Sequence, residues 1–220
     1  MSGVKKAIVV IVLITAFALW GAFSQLLLSY PITNYPPDGS LIMVWGDSLS
    51  VGVGASTPEH GYVDILKERL SLNVVNKAVS GETSRDALIH AASDIALVKP
   101  NIVMILLGGN DVLANTPSPE TFDNLRKLID LAHQSHAVVL LVGFQKHIDD
   151  NYASGFASLA KTSGSVYVAD ILGNIFGDSA LMSDEIHPND KGYLKMADKI
   201  APDLEGLVLL GGQSQKSVHD

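Results

Sequence analysis

The stretch Ile102–Leu107, IVMILL, holds six apolar side chains in succession with no polar break. A strand with one wet face alternates apolar and polar residues. An unbroken run instead fits a strand buried on both faces, as in a parallel sheet covered by helices. Ala137–Val142, AVVLLV, repeats the pattern. Shorter runs at Leu41–Trp45, Leu72–Asn76 and Val166–Ala169 supply three more candidate strands. Between them lie segments with helical spacing. Gly61–Leu70 places Val63, Leu66 and Leu70 together. Ser84–Val98 places Leu88, Ala91, Ala92, Ile95 and Val98 on one face, with Ser84 as the expected cap and Pro100 as the stop. Pro119–His133 places Phe122, Leu125, Leu128, Ile129 and Ala132 in register. A weaker helix is expected over Tyr152–Ala160 and a last one over Gly192–Leu204. Strands alternating with helices, joined by right-handed crossovers, predict a flavodoxin-like, three-layer α/β/α domain around a five-stranded parallel sheet.

The ends of the chain read differently. Ala7–Leu28 is a run of 22 residues without a charge, preceded by Lys5 and Lys6. As a helix it would be roughly 33 Å long, about one bilayer core. Residues 1–29 are therefore expected to be a membrane anchor, with the lysines inside and the domain outside. The alternative is a signal peptide cleaved near Ala22-Phe23-Ser24, and both readings put the domain in the cell envelope or beyond. The mean hydropathy of +0.27 reflects this run. Residues 30–40, with three prolines and a glycine, read as a linker. Residues 41–205 form the expected domain, and 206–220 a partly disordered tail.

Composition excludes several chemistries. The absence of cysteine removes disulfides, thiolate nucleophiles and cysteine-ligated metals. A net charge of -8 gives no basic footprint for nucleic acid. No carboxylate cluster accompanies His133 and His136, and the glycines at 46, 52 and 54 lack the lysine of a phosphate loop, so neither metal nor cofactor is expected.

In an open parallel sheet, ligands bind beyond the carboxyl ends of the strands. The residues there are Gly46-Asp47-Ser48 after the first strand, Ser80-Gly81-Glu82 after the second, and Gly108-Gly109-Asn110-Asp111 after the third. A late loop adds Asp184 and His187, three apart. A serine needs a base, the base needs an orienting acceptor, and an oxyanion needs donors. One local unit of carboxylate and imidazole could supply the first two. The Ser48 and Gly81 N–H groups and the Asn110 amide could supply the donors. Asp47 and Asp111 read as supports of their loops.

GDSLS at 46–50, SGET at 80–83, GGND at 108–111 and DEIHPN at 184–189 resemble, in order, the four blocks of the GDSL or SGNH hydrolases. The neighbourhoods VWGDSLSVGVG, NKAVSGET, LLGGNDVL and HPNDKGY are most similar to the bacterial thioesterase I/lysophospholipase and arylesterase branch. The resemblance implies Ser48 as nucleophile, His187 as base and Asp184 as its orienting residue. It implies Ser48, Gly81 and Asn110 as the oxyanion hole. The expected substrate is a small acyl ester or thioester, or a lysophospholipid, with Val112, Leu113, Phe144 and Ile148 as candidate walls of an acyl groove. A carbohydrate O-acetylesterase, or a non-catalytic acyl- or glycan-binding module of the same fold, are the alternatives.

Overall fold

A computed structural model describes residues 30–144 and 150–214. Five strands form one parallel sheet: β1 Ile42–Gly46, β2 Val74–Asn76, β3 Ile102–Leu106, β4 Val138–Val142 and β5 Val166–Val168. Their order is β2-β1-β3-β4-β5, with Ile42 opposite Ile102 and Gly46 opposite Leu106. Among the described residues seven α-helices accompany them: α1 Ser48–Val51, α2 Tyr62–Arg69, α3 Ser84–Val98, α4 Gly109–Leu113, α5 Ser118–Gln134, α6 Asp150–Ser163 and α7 Asp190–Ser214. Helix α2 packs on α7, while α3 packs on α5 and α5 on α6. The result is the expected three-layer α/β/α sandwich. The strand order reverses direction beside β1, so the crevice of such a sheet falls at the ends of β1 and β3.

Every residue of β1, β3 and β4 is buried, which is why these strands are apolar without alternation. The edge strand β2 is shorter than expected, three residues of which Val74 and Val75 are half-buried and Asn76 is exposed. Its pairing continues through single bonds: Lys77 N–H donates to Val44 C=O and Val79 N–H to Gly46 C=O.

Helix α3 has the expected span but a different buried face. Ser84, Ala87, Ala91 and Asp94 point inward, Ala92 is exposed, and Leu88, Ile95 and Val98 are only half-buried. Two polar residues enter the core because each meets a partner there: Ser84 bonds Asp111, and Asp94 accepts from the Trp45 indole. Thr83, not Ser84, is the cap. Its hydroxyl and the Asp86 carboxylate form a reciprocal capping box.

Both ends of the domain reach beyond the expected limits. Thr33 bonds the carbonyls of Gly164 and Ser163, and Asn34 bonds those of His133 and Ala137. The segment read as a linker thus lies on the domain from Ile32 onward. Helix α7 runs through Pro202 to Ser214 instead of ending at Leu204, because Leu204 and Leu207 are buried and Gly211 abuts the Gly39 carbonyl. The membrane segment expected at residues 1–29 lies outside the described residues. Among the described residues no helix is long and apolar enough to cross a membrane.

One buried carboxylate ties α3, α4 and α5 together at the sheet edge. Asp111 is fully buried; it accepts the Ser84 N–H at 2.8 Å and the Ser84 O–H at 2.5 Å, while Asn124 of α5 donates to the same hydroxyl. Removing a buried acceptor strands its donors, at about 1–3 kcal/mol each. Asp111→Ala is therefore expected to cost roughly 3–5 kcal/mol in urea unfolding. A loss below about 1 kcal/mol would show that the carboxylate is no tie.

Candidate active site

The turn after β1 places Ser48. Asp47 ends the strand and caps α1, its carboxylate accepting the Leu49 N–H at 3.0 Å. Ser48 is then the first residue of a four-residue helix closed by Gly52 in the left-handed conformation. The turn is fixed from outside by the Tyr62 hydroxyl on Ser50 Oγ at 2.6 Å and the Asn76 amide on the Ser50 carbonyl at 2.8 Å. A side chain at Gly46 would collide with Ser50 Oγ, so the strand must end in glycine.

His187 arrives on the turn between Leu181 and α7. Ser183 N–H donates to the His187 carbonyl, and Met182 bridges Pro188. Asn189 Oδ1 accepts the Lys191 and Gly192 N–H groups, capping α7, while its amide reaches the Ala180 and Met182 carbonyls. The asparagine of HPN is thus the hinge between turn and helix. Gly54 backs onto this turn: a Cβ there would lie 2.9 Å from His187 Cβ and 2.7 Å from the Pro188 carbonyl. The Tyr193 hydroxyl donates to the Val53 carbonyl at 2.5 Å, and Asp190 accepts from Ser56, joining the turn to the segment after α1.

These two turns bring three predicted residues into line. Ser48 Oγ lies 3.0 Å from His187 Nε2, and His187 Nδ1 lies 2.8 Å from Asp184 Oδ2. The other Asp184 oxygen accepts the N–H groups of Ile186 and His187, both at 2.7 Å. The bond from the His187 ring, then those from the two backbone N–H groups, hold the Asp184 carboxyl down at about 2. It is an ionised, accept-only group at neutral pH. The neutral imidazole must therefore carry its proton on Nδ1, which leaves the Nε2 lone pair facing Ser48.

The two other predicted residues stand nearby. Asn110, on α4, shares a cavity wall with Ser48, and its Nδ2 donates to the Glu82 carbonyl at 3.0 Å. Gly81 immediately precedes Glu82, at φ +82°, with open space where a side chain would be. The cavity encloses about 270 Å³ and is walled by Val112, Leu113, Phe144, Leu172, Phe176 and Ile186. The first three were expected, and Ile148 lies outside the described residues. Leu172 and Phe176 escaped the sequence reading, although apolar residues in the loop ILGNIF after the last strand were a usable signal. A wider hollow of about 420 Å³ beside Glu59, Asp64 and Lys67 contains no paired nucleophile and base.

A second Ser-His-Asp group, Ser56, His60 and Asp190, has different geometry. The same His60 nitrogen, Nδ1, faces both the hydroxyl and the carboxylate, so the ring cannot pass a proton between them. Among the described residues no group of three or more acidic or histidine side chains is placed to hold a metal.

Asp47 is the opposite of Asp184. It is 2% exposed, and burial pushes its carboxyl up to about 6 despite the Leu49 N–H and the nearby His187. A folded-state value above the ordinary 3.8 means that the folded protein keeps a proton the unfolded chain releases. Stability from this group is highest below about 4, falls as pH rises to about 6, and is level above. Asp47→Asn, which keeps an acceptor for Leu49, is expected to remove roughly 2–3 kcal/mol of that fall. Parallel urea titrations at pH 4 and pH 7 test it; an unchanged pH dependence in the variant would contradict a buried, proton-retaining Asp47.

Residues 44–195 match the GDSL-like Lipase/Acylhydrolase family. The chain is 30% identical to Esterase TesA of Pseudomonas aeruginosa over 76% of its own length and 89% of that protein. It is 26% identical to thioesterase 1/protease 1/lysophospholipase L1 of Escherichia coli K12, over 76% and 84% of the two chains. The crystal structure of TesA superposes with a TM-score of 0.71 at 30% identity, covering 76% of this chain and 99% of that one. Four sequence blocks on one sheet edge, an ester-hydrolase fold and these relatives agree: the chain belongs to the GDSL-like lipase/acylhydrolase family and is a carboxylic ester hydrolase.

Proposed function

We propose that the protein cleaves small acyl esters and thioesters through Ser48, His187 and Asp184. The observation that carries this reading is the continuous line of contacts from Ser48 Oγ through both nitrogens of His187 to Asp184. Ser48 Oγ attacks the acyl carbonyl carbon as His187 Nε2 takes the hydroxyl proton. The imidazolium is stabilised by Asp184, and the carbonyl oxygen becomes an oxyanion facing the Ser48 N–H, the Gly81 N–H and the Asn110 amide. Collapse breaks the bond to the leaving alkoxide or thiolate, which receives the proton from Nε2. Water then repeats the sequence on the acyl-serine, releasing the acid and restoring the serine.

The cavity argues for the acyl side of the substrate. At about 270 Å³ it is at the small end of ligand pockets, and its walls are apolar. Leu113 and Ile186, in those walls, are 61% and 43% exposed, so an acyl chain can enter from solvent along them. Short to medium chains fill such a groove; long ones extend past it. The charge-free run at Ala7–Leu28 favours work at the cell envelope.

The test is turnover of p-nitrophenyl acetate, butyrate, octanoate and palmitate by the parent and by Ser48→Ala. The parent is expected to peak at butyrate or octanoate. The variant is expected to lose at least about 10⁴-fold in kcat. A preference for acetate that falls at every longer chain would replace the acyl-groove reading with an acetylesterase. A folded parent no faster than the variant on any ester or thioester would leave the binding-module reading.

A further inference from the structure

We propose that His90, held between Glu82 and Asp94, is a positioning residue that aims the Asn110 amide at the reacting carbonyl; this rests on the reading of Asn110 as an oxyanion donor. His90 Nε2 lies 2.6 Å from Glu82 Oε1, and Nδ1 lies 2.6 Å from Asp94 Oδ2. Burial raises the affinity of Glu82 for a proton and the His90 bond opposes it; with both carboxylates ionised they only accept, both ring nitrogens donate and the ring is an imidazolium. Glu82 is the link to the site. Its side chain is held by His90, and its carbonyl accepts one N–H of the Asn110 amide. That amide is planar and has two N–H bonds. Fixing one on Glu82 fixes the direction of the other, which is the one left for the cavity that Asn110 lines.

The two carboxylates are unequally supported. Asp94 also meets Lys77 Nζ at 3.1 Å and the Trp45 indole N–H at 3.2 Å. Glu82 has nothing comparable: its side chain is 3% exposed, and its Oε2 is buried with no partner among the described residues. Asp86 adds a further negative charge near Glu82. When His90 loses its proton, the ring has one N–H for two carboxylates and can no longer hold both. Asp94 keeps Lys77 and Trp45, whereas Glu82 has no other donor among the described residues and is then held only for the part of the time that the proton sits on Nε2. Burial lowers the affinity of His90 for its proton, but the bonds to Glu82 and Asp94 outweigh it and leave the imidazole above its ordinary range. A raised value means that the clamp is complete below the ordinary histidine range and is lost as pH rises through the folded one. The rate then falls on the alkaline side.

The experiment is a cycle on p-nitrophenyl butyrate from pH 6 to 10, with Ser48→Ala as the blank. Asn110→Ala alone is expected to lower kcat about 10²–10³-fold. His90→Gln is expected to lower kcat about tenfold with KM unchanged, because a donor is misaimed and not removed. In the Asn110→Ala background His90→Gln should cost nothing more. His90→Arg, a permanent cation between the two carboxylates, is expected to keep most of the parental kcat and to lose the alkaline decline. Parental kcat in His90→Gln, a full tenfold loss in both backgrounds, or a change confined to KM would overturn the role given to His90. If His90→Gln does not fold, His90→Arg decides alone: an alkaline decline matching the parent overturns the proposal. Parental kcat in Asn110→Ala, with Ser48→Ala inactive, would instead remove the oxyanion role of Asn110 and with it the basis for His90.

Discussion

A carboxylate sealed from water holds this site in place. Asp111 lies on α4, directly after β3, yet its two oxygens are used on Ser84, at the start of α3. The loop after β2 and the loop after β3 are thereby one body. The Val79 bond to Gly46 joins the turn after β1 to the same body through backbone alone. Burying an ionised group costs several kcal/mol unless it is well bonded, so such a tie is expensive to keep and hard to displace. Gly81, Asn110 and Ser48 inherit their relative positions from it. The fourth segment, with His187, is located from the other side by Asn189, Tyr193 and Asp190.

Two aspartates near one imidazole show how environment divides a residue type. Asp184 stands half in solvent, yet three N–H donors keep it charged. Asp47 is sealed beneath the serine turn, and burial raises its carboxyl to about 6. The same side chain is thus held charged by donors in one place and made harder to charge by burial in the other.

The strands were legible because burial on both faces leaves a strong mark: no polar residue interrupts IVMILL or AVVLLV. The four sheet-edge blocks were legible because topology dictates where a parallel sheet presents its loops. What escaped were choices made by tertiary partners. Ser84 and Asp94 look like solvent residues until Asp111 and Trp45 are found opposite them, so the inner face of α3 was misjudged. The extension of α7 past Leu204 was hidden by the glycines at 206, 211 and 212, which are poor helix formers, but packing of Leu207 and Gly211 carries the helix through. The link from His90 to Asn110 runs through a backbone carbonyl, which no side-chain pattern can signal.

The serine and the imidazole that meet at 3.0 Å are separated by 139 positions in the chain. The imidazole's turn is fixed only when α7, which follows it, folds back and Tyr193 reaches Val53. A growing chain that has completed β1 through β5 therefore carries its serine unarmed. The pairing of serine and imidazole is complete only with the final segment, so, on the proposed mechanism, a polypeptide that lacks this segment has no base beside its serine.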